Sequence, residues 1–386
     1  MGLDKKHTKG QNNFFRFDNR SVLRSIEYAQ QIAFAPFVFQ ASRTLRNSGL
    51  LSEVEQSGNE GISIETTAKK TGVSVYGVRV LFEAGLTIGL LTLNNELFKI
   101  TKTGSYILHD KMTIVNMDFV HDVCYRGMFE LDKSIETGEP EGLKIFGEWK
   151  TVYQALSSLP KQVQKSWFAF DHYYSDTSFD EALPHVFENK PKKILDIGGN
   201  TGKWAISCFG YSDTIEMGIV DLPGQLKMAE ENINKSGFSG RVKYYEVNLL
   251  DKNSKLPEGY DVIWMSHFLD CFSQSEIVSI LQKCRKALAE NGHVFIMEPL
   301  WDKQNFEVSS FCLMMTSLYF TNIANGNSKM YDSRQFTSLL KKSGFEIAGQ
   351  FDSIGICHSL IKSKKEIAHQ PITKGNVTTG EIEIEL

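Results

Sequence analysis

Apolar and polar positions change rhythm along the chain, and each rhythm predicts a different architecture. Over residues 20–56, Ile26, Ala29, Ile32, Ala33, Phe37 and Val38 recur at helical spacing, and Phe39 and Leu45 continue the stripe. Residues 58–61 form a turn. The run ISIETTAKKTGVSVYGVRVLFEAGLTIGLL reads as helix, turn, helix, with Gly72 in the turn and Ser74 as an N-cap. NNELFKITKTGSYIL then reads as a hairpin around Asn94-Asn95, with Phe98 and Ile100 alternating. Together these predict a winged helix. Residues 111–185 are mixed helices dense in aromatics, among them Phe119, Tyr125, Trp149, Tyr153, Trp167, Phe170, Tyr173 and Tyr174. Such density serves equally for a core or for a pocket that takes a flat ligand.

From Pro191 onward strands and helices alternate. ILDIGG, EMGIVDL, VKYYEVNL, YDVIWMSH and HVFIMEPL read as strands, with helices over 204–209, 223–235 and 275–289. The pattern predicts an open parallel sheet covered on both faces, a Rossmann-like α/β fold. A capped helix (DSRQFTSLLKKSGF) and two last strands (EIAGQFD and ICHSLIKS) follow. The expected organisation is a loose tail over 1–19, a winged helix over 20–110, a helical segment over 111–185, the α/β domain over 186–363 and a polar tail over 364–386.

Composition narrows the function. The chain has 386 residues, 41% hydrophobic and 23% charged, which suits two globular domains. A net charge of -4 leaves no electrostatic footprint for nucleic acid. The would-be recognition helix carries Arg79 and Glu83 and is otherwise mostly apolar, which favours a structural or dimerising winged helix over a DNA-binding one. The apolar run at 310–320 is far short of the ~18 residues of a membrane span. The N-terminus has no signal-peptide core, and Lys6 stands where myristoylation expects Ser or Thr. The six cysteines are scattered, without a CxxC pair, so no metal site is expected and reduced thiols in a cytoplasmic protein are.

The chemistry begins where the first strand of the α/β domain ends, at Asp196-Ile197-Gly198-Gly199-Asn200-Thr201-Gly202. Glycines there let backbone amides approach a ligand. The spacing fits neither G-x-G-x-x-G nor the phosphate loop G-x-x-x-x-G-K-[ST]. It does fit D-x-G-G-x-x-G, the loop of S-adenosylmethionine-dependent methyltransferases. Asp221 ends the second strand, where an acid can accept from both ribose hydroxyls, and Asn248-Leu249 ends the third, within reach of an adenine ring.

From residue 20 to about 363 the chain resembles the plant-type O-methyltransferase family, in its bacterial small-molecule branch. The resemblance is carried by ILDIGGNTG, IVDLPGQL, the run from VNLLDKN to HVFIMEPL, and ETGEPEGLKIFGEW upstream. It implies an N-terminal winged-helix dimerisation domain, a homodimer, S-adenosylmethionine as cofactor and a hydroxylated aromatic or conjugated acceptor. The positions it assigns to the cofactor are Asp196, Gly198, Gly199, Asp221, Leu222, Asn248, Leu249 and Ser266. Asn248 stands where most members have Asp, and Ser266 where they have a basic residue. Asp270 stands where the family's catalytic His is expected, and Glu298 matches the Glu that supports that base. The second supporting Glu falls near Met330 and is missing.

Three readings stay open for the base: Asp270, His267 three residues earlier, or no deprotonation at this place. A carboxylate with a pKa near 4 is a weak base unless burial or a neighbouring acid raises it. Acceptor contacts are expected from His172 and Tyr173, and from Met314 and Met315, whose thioethers suit flat ligands. A cofactor-binding protein without O-methyl transfer, one with N- or C-methyl transfer, and a winged-helix regulator are the alternative functions.

Overall fold

The computed structural model describes residues 14–366. Of the tails expected at 1–19 and 364–386, residues 1–13 and 367–386 lie outside the described residues. Three helices open the described chain: α1 (Val22–Ala33), α2 (Ala35–Asn47) and α3 (Leu50–Gln56). Ser21 caps α1, and Pro36 sits at the start of α2, where its missing N–H costs nothing. The winged helix follows: α4 (Ile64–Thr71), α5 (Val75–Ile88) and the antiparallel pair β1 (Leu91–Asn94) and β2 (Leu97–Ile100). Ser74 accepts from the Gly77 N–H at the start of α5, and Gly72 ends α4 in the left-handed conformation, as expected. Leu45, Leu50, Leu51, Val54, Val78, Phe82, Leu91 and Phe98 form its core. In contrast, α1 buries no side chain, and Val22, Leu23, Ile26, Ile32, Phe34 and Phe37 stand exposed on α1 and α2.

The middle segment runs through α6 (Lys102–His109), α7 (Lys111–Phe119), α8 (Leu131–Thr137), α9 (Val152–Ala155), α10 (Lys161–Ser175) and α11 (Phe179–Phe187). A π-turn, Val120–Cys124, extends α7. The aromatics expected here serve both as core and as cavity wall. Phe119 stacks on Phe170 with centroids 4.0 Å apart and meets Tyr319 edge-on at 5.0 Å, and the Trp167 indole donates to the Tyr319 hydroxyl at 2.7 Å.

The α/β domain is a seven-stranded sheet built from β3 (Lys193–Ile197), β4 (Glu216–Asp221), β5 (Val242–Glu246), β6 (Tyr260–Ser266), β7 (Leu288–Glu298), β8 (Phe345–Ile354) and β9 (His358–Lys365). Their order is β5-β4-β3-β6-β7-β9-β8. The first five strands are parallel, and the β8–β9 hairpin joins antiparallel to β7. Lys364 and Lys365 pair with Glu346 and Phe345, so the sheet extends past residue 363, where the polar tail was expected to begin.

Side chains alternate between the two faces as the strand period demands. Leu195, Ile263, Met265, Val294 and Ile296 pack toward α14 (Gln274–Ala287) and α16 (Ser333–Lys342). Ile194, Val262, Trp264, Phe295 and Met297 pack toward α11, α12 (Lys203–Tyr211) and α13 (Pro223–Lys235). The strand order reverses between β3 and β6, which opens a crevice at their C-terminal ends. Helix α15 (Glu307–Tyr319), extended by a second π-turn, Phe320–Ala324, closes that crevice together with α7 and α10. No helix among the described residues is long and apolar enough to cross a membrane.

Candidate active site

A cavity of about 1080 Å³ occupies the crevice. It exceeds the roughly 300–1000 Å³ of most small-molecule sites, so it has room for two ligands side by side. Its floor is the glycine loop. Gly198 has φ 75°, and a Cβ there would lie 2.2 Å from the Phe268 ring. A Cβ on Gly199 would meet Ile219 at 2.7 Å and an oxygen of Asp196 at 2.9 Å. The backbone thus comes within contact of its own walls and leaves the space above it free.

Asp221 binds the loop together. Its Oδ2 accepts from the Asn200 N–H at 2.9 Å and its Oδ1 from the Leu222 N–H at 2.7 Å. Burial pushes its carboxyl up to about 6 despite those two donors. The Asn200 side-chain amide donates to Asp171 on α10 at 3.1 Å, tying the loop to the middle segment. Asn248 is exposed, and its Oδ1 accepts from the Leu250 N–H at 3.0 Å, while Leu249 is buried in the sheet core with one edge on the cavity.

Several buried polar atoms of cavity-lining residues lack a hydrogen-bond partner: Asp196 Oδ2, Asn200 Oδ1, Ser266 Oγ, and the indole N–H groups of Trp204 and Trp264. Leaving such groups unpaired costs about 1–3 kcal/mol each. Donors and acceptors both wait here, and burial together with the neighbouring Asp221 holds the Asp196 carboxyl well above the usual range. The two indoles stack, centroids 3.8 Å apart and 10° from parallel.

Past the end of β6 the chain turns sharply. His267 has φ 49°, and a short 3-10 turn, Leu269–Cys271, follows. Asp270 is buried beside the cavity, and Glu298 is buried beneath it. Oε1 of Glu298 accepts from the N–H groups of Phe268 (3.1 Å) and Leu269 (2.8 Å), so this carboxyl holds the turn that carries Asp270. Burial raises the Asp270 carboxyl, opposed chiefly by His267. Burial and then Asp270 push Glu298 well up. Two buried acids therefore meet at the base of the turn, and burial is what lifts Asp270 toward useful basicity.

The structure brings all eight expected loop and strand-end positions to the cavity: Asp196, Gly198, Gly199, Asp221, Leu222, Asn248, Leu249 and Ser266. Asp270, His267, His172 and Met315 also line it. Tyr173 and Met314 do not, and both expectations are corrected by helix phase. On α10 the cavity is lined by Trp167, Phe170, Asp171, His172, Tyr174 and Ser175, while Tyr173 turns toward Lys111. On α15 it runs through Val308, Phe311, Cys312, Met315, Thr316 and Tyr319, and Met314 falls between these rows.

Sequence reasoning named Tyr153 only as one aromatic among many, although its buried hydroxyl meets the Cys271 thiol beside Asp270, and it missed Asn325, whose amide donates to the Cys271 carbonyl. It also missed His358 on β9, whose Nε2 meets that of His267.

Comparison with known proteins agrees with this architecture. Residues 27–98 match the Dimerisation2-like domain and residues 174–346 the O-methyltransferase domain. Among curated proteins, an L-tyrosine C(3)-methyltransferase of Streptomyces lavendulae is 23% identical over 59% of this chain and 61% of its own, so the alignment spans about three-fifths of that relative. O-methyltransferase 4 of Dictyostelium discoideum is 26% identical over 78% of this chain and 86% of its own. A 3-hydroxy-5-methyl-1-naphthoate 3-O-methyltransferase of Streptomyces sahachiroi is 26% identical over 72% and 78%. Among solved structures, the S-adenosylmethionine-dependent methyltransferase SibL superposes with a TM-score of 0.68 at 19% identity, covering 89% of this chain and 100% of that one. The mitomycin 7-O-methyltransferase MmcR gives 0.68 at 17% identity, covering 88% and 98%.

Proposed function

We propose that the chain is an S-adenosylmethionine-dependent O-methyltransferase with an N-terminal dimerisation domain, and that it methylates a hydroxyl of an aromatic or conjugated small molecule, with Asp270 as general base. The observation that carries the reading is that buried Asp270, on the turn that Glu298 holds from beneath, lines the same cavity as the glycine loop.

The residues present suit the cofactor. Asp221 supplies a carboxylate for two ribose hydroxyls. Asp196 Oδ2, Ser266 Oγ and the indole N–H groups offer unpaired partners for a zwitterionic amino-acid tail. Asn248 Oδ1 keeps one lone pair beyond its bond to Leu250, enough to accept from an adenine amine. When bound, the cofactor supplies an electrophilic methyl whose bonding electrons depart with sulfur. Asp270 accepts the hydroxyl proton as the acceptor oxygen takes the methyl, and Glu298 fixes the turn from which it does so. The aromatic wall of Phe170, Tyr174, Trp167 and Tyr319 holds a flat acceptor in line, which can contribute up to roughly 7–11 kcal/mol through orientation.

Two observations favour a second reading, ring C-methylation. Asp270 replaces the expected His, and a curated relative is an L-tyrosine C(3)-methyltransferase. The exposed apolar face of α1 and α2 supports a homodimer, and the six free cysteines fit a cytoplasmic setting.

Calorimetric titration with S-adenosylmethionine and S-adenosylhomocysteine tests the cofactor. Micromolar binding of both is expected, and binding of neither removes the enzyme reading. Product analysis by NMR after incubation with phenolic acceptors then separates O-methyl from ring-methyl products.

A further inference from the structure

His267 sits where few residues other than glycine are at ease. Its φ of 49° costs on the order of 1 kcal/mol, and such strain persists only where the surroundings impose it. Two contacts impose it here. The His267 N–H donates to the Met297 carbonyl at 3.1 Å, and the ring turns its Nε2 onto Nε2 of His358, with centroids 4.5 Å apart. His358 is 1% exposed and opens β9, on the antiparallel hairpin that completes the sheet. Its Nδ1 lies 2.9 Å from Oγ of the buried Ser178. Gly355 packs against that serine so closely that a Cβ would come within 2.1 Å of its Oγ.

Two imidazole nitrogens that face each other share one proton, so the tautomers of the two rings are linked. The Ser178 hydroxyl donates to the Tyr174 carbonyl at 3.3 Å, so its oxygen is left to accept a proton from Nδ1 of His358. With Nε2 of His358 committed to His267, that proton belongs on Nδ1. Nε2 of His358 is then a bare lone pair, and Nε2–H of His267 donates to it. The Nδ1 of His267 is left as a lone pair, and no described protein group hydrogen-bonds to it.

We propose that His358 is a positioning residue that fixes His267 as a second proton acceptor in the cavity, so that the base of this enzyme is an aspartate–histidine set completed from the far side of the sheet. The inference rests on the methyl-transfer reading above and deepens it. When the acceptor's O–H bond breaks, its electron pair stays on oxygen, and the proton passes to Asp270 or to Nδ1 of His267. Asp270, whose carboxyl His267 draws downward against its burial, then offsets the imidazolium charge. Burial, and after it His267, hold His358 well below the ordinary imidazole range, so it remains the neutral member of the pair.

The test uses the full chain labelled with 15N-histidine. Long-range 1H–15N spectra, with the two rings assigned through His267→Gln and His358→Asn, should show His267 protonated on Nε2 and His358 on Nδ1. In His358→Asn, which keeps a polar group opposite Ser178 but loses the one that meets His267, the His267 ring should average between tautomers. His267 protonated on Nδ1 in the native chain, or a tautomer unmoved by His358→Asn, overturns the proposal.

Kinetics with an acceptor that the native enzyme methylates gives a second reading. On the roughly 10²–10⁴-fold scale of general acid–base catalysis, His358→Asn should lower kcat about tenfold or more with KM unchanged. His358→Gln, which restores a group at the Nε2 position, should recover most of the rate. Equal losses in both variants would mark His358 as structural only. The spectra need no cofactor, so failure to bind S-adenosylhomocysteine would count against the methyl-transfer reading and leave the tautomer result to be judged separately.

Discussion

At the residue scale the site turns on buried carboxyl groups that do different work. Asp270 faces the cavity and is free to exchange a proton, while Glu298 is committed to the backbone of the turn. Asp270→Asn keeps the shape and removes the basic oxygen. Turnover should fall about 10²–10⁴-fold, with the affinity for S-adenosylhomocysteine held. An unchanged rate would take Asp270 out of the mechanism. Asp221 should show itself through pH. Its carboxyl titrates near 6, and the ionised form, which prevails above that value, is the one that can accept from two hydroxyls. Cofactor affinity measured by calorimetry should therefore weaken as pH falls through about 6, and Asp221→Asn should flatten that dependence.

Elements decide which of these residues meet. The glycine loop works because β3 delivers it to the point where the strand order reverses. Gly198→Ala would place a methyl within 2.2 Å of Phe268 at a φ that only glycine adopts freely, so it should abolish measurable cofactor binding while the sheet still folds. Cofactor affinity retained in that variant would mean that the loop has room to move. This loop and the acid ending β4 were legible in the sequence, because strand ends and glycine spacing are local signals, whereas Asp270 and Glu298 came only from the family resemblance. The phase of a helix is local too, and Tyr173 was misplaced because the aromatic run was read without phasing it against Trp167 and Phe170. His358 was not legible at all. It lies 91 positions from His267, and only the antiparallel return of β9 beside β7 brings the two rings together.

At the scale of the whole molecule, one surface stands apart from the catalytic crevice. The apolar side chains of α1 and α2 face solvent in a single copy of the chain, as expected of a helix pair that is covered by a second copy. Light scattering should find a dimer for the native chain and a monomer for Ile26→Glu combined with Phe37→Asp. Neither residue contributes to the core of its own copy, so the variant should keep its helical circular dichroism, and an unaltered mass would move the interface elsewhere. The stacked indoles beneath the glycine loop have a consequence of another kind. Two of the five tryptophans lie nearly parallel at 3.8 Å, in a rigid, asymmetric setting next to where the cofactor would lie. Their electronic transitions are therefore coupled, and the protein carries its own optical probe: ligand entry should register in near-ultraviolet dichroism and intrinsic emission without any added label.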